Sequence, residues 1–434
     1  MSRPAARSVA LSVAGVLAIV FVASAAVVWF DRRTRAADLE RARVEVRRLA
    51  AELDARPTRR EPLWWPAEAG DADAAYVAAG GLVESWFPAL DELGVTDPDD
   101  VSWTALAEVA AGRTDEARAA RAQLLGLPAV GEALERLARG TSLSDVGLRT
   151  DDAVLDGAPT YVSGLSDLAP AFVTHFVDRV ERGDDHTEAV RDLLPLFQCA
   201  LDLVASPDFE CAAAWFAMPP CALRSWLAEG RYGELDGAAR DLLRSALADL
   251  DAAIVPLGDD LEFLSTCSVA QRLHDGELVE DDDVAALRST VGDETIDALV
   301  RPPWSRRGGS EGADALAYLA SVRSELAVVR GLLASDPDAA FARFESDVDA
   351  KRGADDWPTA YGRLEVAGEA RIRVLILHEL RALRIALARF EGDRDFTLDD
   401  PYGSVWVVLD DASGVRVGSD SRWNEGDQRV FVAR

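Results

Sequence analysis

Lysine is almost missing from this chain. Lys351 is the one lysine among 46 basic residues, set against 76 Asp and Glu, so the net charge is −30 over 434 residues. That deficit of positive charge excludes nucleic acid as an expected partner, because a phosphate backbone is held by clustered basic side chains. Cysteine is scarce too. Cys199, Cys211, Cys221 and Cys267 include no CxxC pair, which removes the usual zinc and thioredoxin-like patterns. The four histidines, His175, His186, His274 and His378, show no metal-ligand spacing. His378-Glu379 begins like the HExxH zinc motif, but position 382 is alanine. Phosphate-loop, dinucleotide and nucleophile-elbow glycine patterns are absent. No catalytic signature remains.

What the chain does have is a long uncharged run. Ser8 to Phe30 is 23 residues without an ionisable side chain. A hydrocarbon core of about 30 Å needs about 20 apolar helical residues, so the run is long enough to span. Trp29 and Phe30 close it at the level where aromatic rings meet headgroups, and Arg32, Arg33 and Arg35 stop it. A cleaved signal peptide is the rival, with Arg3 and Arg7 as a basic start and Ala23-Ser24-Ala25 as a cleavage site. The apolar stretch runs on through Val27 and Val28 to Phe30, which favours an uncleaved anchor. Orientation pulls two ways. The arginines after the run favour a cytoplasmic main domain by the positive-inside rule; the acid-free, signal-like start favours an exoplasmic one, which is the expectation.

Charge is uneven along the chain. Residues 1–60 hold 12 arginines and six acids, about +6, leaving about −36 for the remainder. The basic part lies beside the expected membrane, where anionic headgroups attract it. In an oxidising compartment Cys211 and Cys221, which flank an apolar turn, are the first candidates for a disulfide; four buried thiols are the alternative.

The expected fold is mostly α: a single N-terminal transmembrane helix, an irregular all-α domain of helical hairpins, and a small C-terminal antiparallel β element. The expected divisions are a basic tail (1–7), the span (8–30), a helical stalk (31–56), a linker (57–70), an acidic helical domain (71–300), a second linker (301–313), a helical segment (314–392) and a β tail (393–434). In the stalk Leu39, Ala42, Val46, Leu49 and Leu53 fall at heptad a and d positions, enough for a weak homodimer through 39–53 or for packing on the chain's own domain. Trp64 and Trp65 of the linker are expected to dock on the folded domain. Helices are expected at Asp71 to Gly94, from Ser166 or Asp167 to Arg182, from Asp185 through Val204, and from Pro219 or Pro220 to near Gly230. Further ones are expected at Glu234 to Val255, Leu257 to Leu273, Asp281 to Val300, Asp314 to Ala334, Asp338 to Lys351 and about Thr359 to Phe390, read from caps and apolar spacing. Asp151 to Ser163 is expected to be loop-like. The segments Ser404 to Leu409, Gly414 to Gly418 and Arg429 to Val432 are short, β-branched and broken by Asp, Gly and Asn, which reads as three antiparallel strands.

One loop carries a ligand pattern. Asp420, Asn424, Glu425 and Asp427 follow Gly418 closely, and several oxygen donors in a short loop suit Ca²⁺; an ordinary acidic turn is the alternative. The helix with Arg381 to Leu387 and Phe390 leads into Phe396 to Gly403, then a hairpin, then Val417-Gly418-Ser419-Asp420. This order resembles the tail of the major pseudopilin of type II secretion, whose G-x-D loop binds calcium. It also looks like membrane-anchored helical proteins of unknown function from GC-rich bacteria. The prepilin leader glycine and the early glutamate of the hydrophobic segment are both missing here.

The expected role is a non-catalytic, single-pass protein of the bacterial inner membrane, its main domain in the periplasm, acting through protein partners. Two alternatives stand beside it. One is an envelope hydrolase assembled from scattered carboxylates with His175, His186 or His274; the other is an accessory to a pseudopilin-type secretion system.

Overall fold

The computed structural model describes residues 28–30, 32–49, 51, 63–64, 114–126, 168–204, 218–254, 262, 265–266, 269, 310–350, 357–423 and 430–434. Residues 32–49 are helical. The helices that follow are α1 (Asp115–Leu125), α2 (Leu168–Arg182), α3 (His186–Arg191), α4 (Leu194–Val204), α5 (Pro219–Ala222), α6 (Arg224–Ala228), α7 (Gly237–Ala253), α8 (Glu311–Ser335), α9 (Pro337–Ala350) and α10 (Trp357–Phe390). A 3₁₀ turn, Arg231–Glu234, joins α6 to α7. Three strands close the chain: β1 (Trp406–Asp411), β2 (Gly414–Ser419) and β3 (Val430–Ala433), antiparallel in the order β1-β2-β3. The protein is therefore mostly helical with a small C-terminal sheet, as expected.

No helix among the described residues is long and apolar enough to cross a membrane. Most of the expected span, 8–27, lies outside them, as do the helices expected at 71–94 and 281–300, most of that at 257–273, the loop expected at 151–163, and residues Leu53 and Trp65.

Local chemistry sets the boundaries. Asp185 caps α3, its carboxylate accepting from the backbone N–H of Thr187 at 2.9 Å and of Glu188 at 3.3 Å. The helix expected to run on to Val204 breaks into α3 and α4, because Pro195 has no N–H to continue the ladder. Asp236 caps α7 through Ala239 N–H at 2.8 Å, and Asp336 caps α9 through Ala339 N–H at 3.1 Å, with Pro337 in the first position. Helix α10 ends at Gly392, whose φ of 92° only glycine adopts cheaply, with Asp393 N–H reaching Ala388 O at 2.9 Å. The expected linker 301–313 is shorter at its end, since Glu311 to Ala313 already belong to α8.

Helix α10 is 34 residues long, about 50 Å at 1.5 Å per residue, and is shared by two cores. Its C-terminal half (Ile376, Leu377, Leu380, Leu383, Ala386, Leu387) packs with α2 to α7 and with Val415, Val417 and Val432 of the sheet. Trp64 also packs there, and Leu63 N–H donates to Gln198 Oε1 at 3.0 Å, so this piece of the first linker is docked. Its N-terminal half (Val366, Ala367, Ala370, Val374) packs with α8, α9 and residues 32–49. Arg343 of α9 clamps Glu325 of α8 with two hydrogen bonds, 2.6 and 2.8 Å, inside that second body.

Residues 32–49 are no free stalk. Ala42, Val46 and Leu49 are buried in the second core, and Leu39 packs against it. Of the two roles expected for the a and d stripe, packing on the chain's own domain is the one seen for Leu39, Ala42, Val46 and Leu49. Gly312 permits this crossing: a Cβ there would lie 2.4 Å from Asp38 O and 2.6 Å from Leu39 Cα. Both obstacles are backbone, so no rotamer change relieves them. Gly312→Ala should weaken docking of this helix by about 1–3 kcal/mol, at the upper end of that range. Limited proteolysis checks it: cleavage at the arginines of 32–49 should accelerate while the helical signal of the body persists.

Candidate functional site

Polar side chains inside a helical protein must be paired or useful, because an unpaired buried group costs free energy. Helix α10 carries an unusual number of them: Glu369, Arg373, His378 and Glu379 are all buried. Three polar groups involve this helix: His378 with Asp400, Arg381 and Arg384 with Asp251, and Glu365 with Tyr318.

The first centres on His378. Its Nδ1 lies 3.1 Å from Asp400 Oδ1, with both side chains almost fully enclosed. A carboxylate oxygen only accepts, so Nδ1 donates in this bond. Asp400 sits in the Asp-Asp-Pro-Tyr-Gly turn between α10 and β1. Its Oδ2 accepts from Ser419 Oγ of β2 at 2.5 Å, and its Oδ1 also accepts from Tyr402 N–H at 3.1 Å. Burial pushes this carboxyl up, but the hydrogen bonds from His378, Ser419 and Tyr402 outweigh it and hold it below the ordinary value. Trp406 of β1 stacks on the imidazole at 4.9 Å and Tyr402 lies 5.0 Å away. Ser, Asp and His meet here in the wrong order for hydrolysis: the carboxylate bridges the other two, so no base stands beside the hydroxyl. Nε2 is buried and finds no hydrogen-bond partner. The group clamps the turn and sheet onto α10.

The second group joins α7 to α10. Asp251, 7% exposed, accepts from Arg381 Nε at 2.9 Å and from Arg384 Nη1. Beside it a cleft of about 300 Å³ is lined by Asp241, Arg244, Ser245, Ala248, Arg384 and Phe396. Ala248 leaves the room, and Phe396 forms one wall with the Arg384 guanidinium 5.9 Å from its centroid. Arg244 is held by Glu391, which also accepts from Tyr232 Oη at 2.7 Å. Both arginines of the cleft thus face carboxylates, which leaves little positive charge to attract an anion.

The third group lies between α8 and α10. Tyr318 Oη donates to Glu365 Oε2. Burial, with some help from Glu369, pushes the Glu365 carboxyl up to about 7, against the opposing hydrogen bond from Tyr318. One turn further on, Arg373, wholly buried, lies 3.6 Å from Glu369.

The residues singled out in the sequence are scattered. His175 is held by Asp192 at 3.1 Å, and Arg179 reaches the same oxygen at 2.5 Å. His186 Nδ1 accepts from Asp236 N–H at 3.2 Å. Each serves its own helix junction. His274 lies outside the described residues, as do Asn424, Glu425 and Asp427 of the calcium candidate. Asp420 of that loop accepts from Val405 N–H at 3.1 Å and extends the β1-β2 pairing. Among the described residues no group of three or more His, Cys, Asp or Glu is placed to hold a metal ion. Cys221 is a free thiol directed at Glu379 Oε2, 3.5 Å away, so the Cys211–Cys221 disulfide is not made.

At the other end of the molecule, Val28, Trp29 and Phe30 are more than half exposed. Trp29 and Phe30 meet edge to face at 5.0 Å, and the Arg33 guanidinium lies 5.2 Å from the Trp29 ring. No protein-family model, no curated protein and no solved structure matches this chain.

Proposed function

We propose that this chain is a membrane-anchored, non-catalytic helical protein of the bacterial cell envelope that works through protein contacts. The observation that carries the reading is the exposed Val28-Trp29-Phe30 edge at the end of the uncharged run. Three aromatic and aliphatic side chains left in water are costly, and a bilayer interface is the solvent that suits them. Residues 32–49 enter the second core within about three turns of that edge. The acidic body is thereby held close to the bilayer, with Arg32, Arg33 and Arg35 between them. The buried polar groups of α10 support a structural use: each ties two or more elements together, and the Ser419, Asp400 and His378 set has the carboxylate in the middle.

The full chain should stay with membranes after carbonate washing, and removing residues 8–27 should release it. Trp29→Ser with Phe30→Ser should leave it anchored but raise its detergent-free extraction several-fold. Recovery of the untruncated chain in the carbonate supernatant would overturn the anchor. A reporter fused after Arg434 reads which side the body faces; activity only in the cytoplasm would overturn the periplasmic placement.

A further inference from the structure

The sheet has an open side. β1 is the outer strand of the order β1-β2-β3. β2 and β3 lie on α10 and β3 on α6, whereas β1 is held by β2 and by Trp406 stacked on His378. Asp411 and Gly414 flank a two-residue turn and are opposite each other, so that pair is hydrogen-bonded and the alternation along the strand follows. Val407, Leu409 and Asp411 spend their backbone groups on β2. Trp406, Val408 and Asp410 point theirs away, and none of the described residues bonds to them. Six backbone donors and acceptors therefore form a template at this edge. Its outer face is apolar, with Val405 70% and Leu409 45% exposed.

We propose that this edge pairs with β1 of a second copy, antiparallel about a two-fold axis at Val408. The register is self-complementary. With Val408 opposite Val408, Trp406 falls opposite Asp410 of the other copy, and all three outward positions become hydrogen-bonded pairs. On the outer face Val407 meets Leu409 and Val405 meets Asp411, so no like charges lie directly opposite. Asp410 is already neutralised by Arg434 at 2.6 Å. The edge has neither lysine nor proline nor a bulge, and its two charges, Asp410 and Asp411, stand together at one end. The result is a six-stranded sheet with the two helical bodies side by side. The stripe at 39–49 is used within each chain, so the contact between copies lies at the other end of the sequence.

Sedimentation of the full chain in detergent tests this, together with hydrogen exchange. The chain should pass from monomer to dimer over the micromolar range. The dimer should tighten several-fold at high salt, because each copy bears a net charge of −30 that salt screens. Amides of Trp406, Val408 and Asp410 should become protected as concentration rises. Val408→Pro removes an outward N–H that β2 does not use, and should raise the dissociation constant at least tenfold with the monomer still folded. Leu409→Lys, on the exposed outer face, should do the same by a different route. A chain that stays monomeric to sub-millimolar concentration, or a dimer that survives both substitutions, overturns the proposal. So does protection of the same amides only by an added basic, valine-rich peptide, which would mark the edge as a site for a foreign strand.

Discussion

Asp251→Ala should destabilise the protein by about 3 kcal/mol, near the lower end of what breaking a buried ion pair costs. Asp251 meets two arginines of α10 at once, with Arg381 and Arg384 both on its oxygens. Its removal leaves two guanidiniums one turn apart with no counter-charge between them, and their side chains are only 27% and 17% exposed. The loss stays at the lower end because each keeps something. Arg381 Nη1 also donates to Asp399 O at 3.0 Å, and Arg384 lies over Phe396. Asp251→Asn, which preserves shape and an acceptor, should cost less than the alanine. Replacing all three, with methionine at 381 and 384, should recover most of the loss, because a buried charge cluster is often worth no more than apolar side chains of the same volume. Urea unfolding followed by circular dichroism measures each. A loss below about 1 kcal/mol for Asp251→Ala would mean that water reaches the cluster and screens it as at a surface.

Much of the helical frame was legible because caps are local. Asp185 was read as a helix start and caps one, with chemistry that acts within three residues, whereas the helices expected from Glu234 and Asp338 are capped by Asp236 and Asp336, two residues away from the expected starts. The strands were legible for a similar reason: β-branched runs are interrupted by Asp and Gly where the turns fall. Long-range pairing was not. The stripe Leu39, Ala42, Val46, Leu49 reads the same whether its mate is another copy or α8, and Gly312, which admits it, lies about 270 residues on. In α7 Ala238 and Ala239 stand side by side, as do Leu242 and Leu243; Ala239 and Leu243 are buried while Ala238 is exposed. Apolar residues at adjacent positions leave the face undetermined until the neighbour is known. His378 lacks the second histidine of a zinc motif, and nothing near it in the sequence announces Asp400, one of many acids in the chain. Only the turn that brings β1 back across α10 makes them a pair.

Glu365 should make the fold lose stability as pH rises from about 4.5 to about 7. Its ordinary value is 4.5, and burial pushes it up to about 7 in the folded protein. Across that window the folded state keeps a proton that the unfolded chain has already released. By linkage, stability then falls with pH: the contribution is complete below 4.5, declines through the window, and is gone above 7. The gap corresponds to at most about 3 kcal/mol. Asp400 and Asp192, both held below their ordinary value of 3.8, work in the opposite sense, but their losses come as pH drops below that value and leave this window clear. Glu365→Gln preserves the acceptor for Tyr318 Oη and removes the titration. Its urea midpoint should be flat between pH 4.5 and 7, and above the parent's at pH 8. Two parallel pH profiles would show that the folded protein binds no extra proton at Glu365. Tyr318→Phe separates the two contributions. Without the hydroxyl the carboxylate loses the hydrogen bond that favours its charged form, so the decline should extend to higher pH rather than vanish.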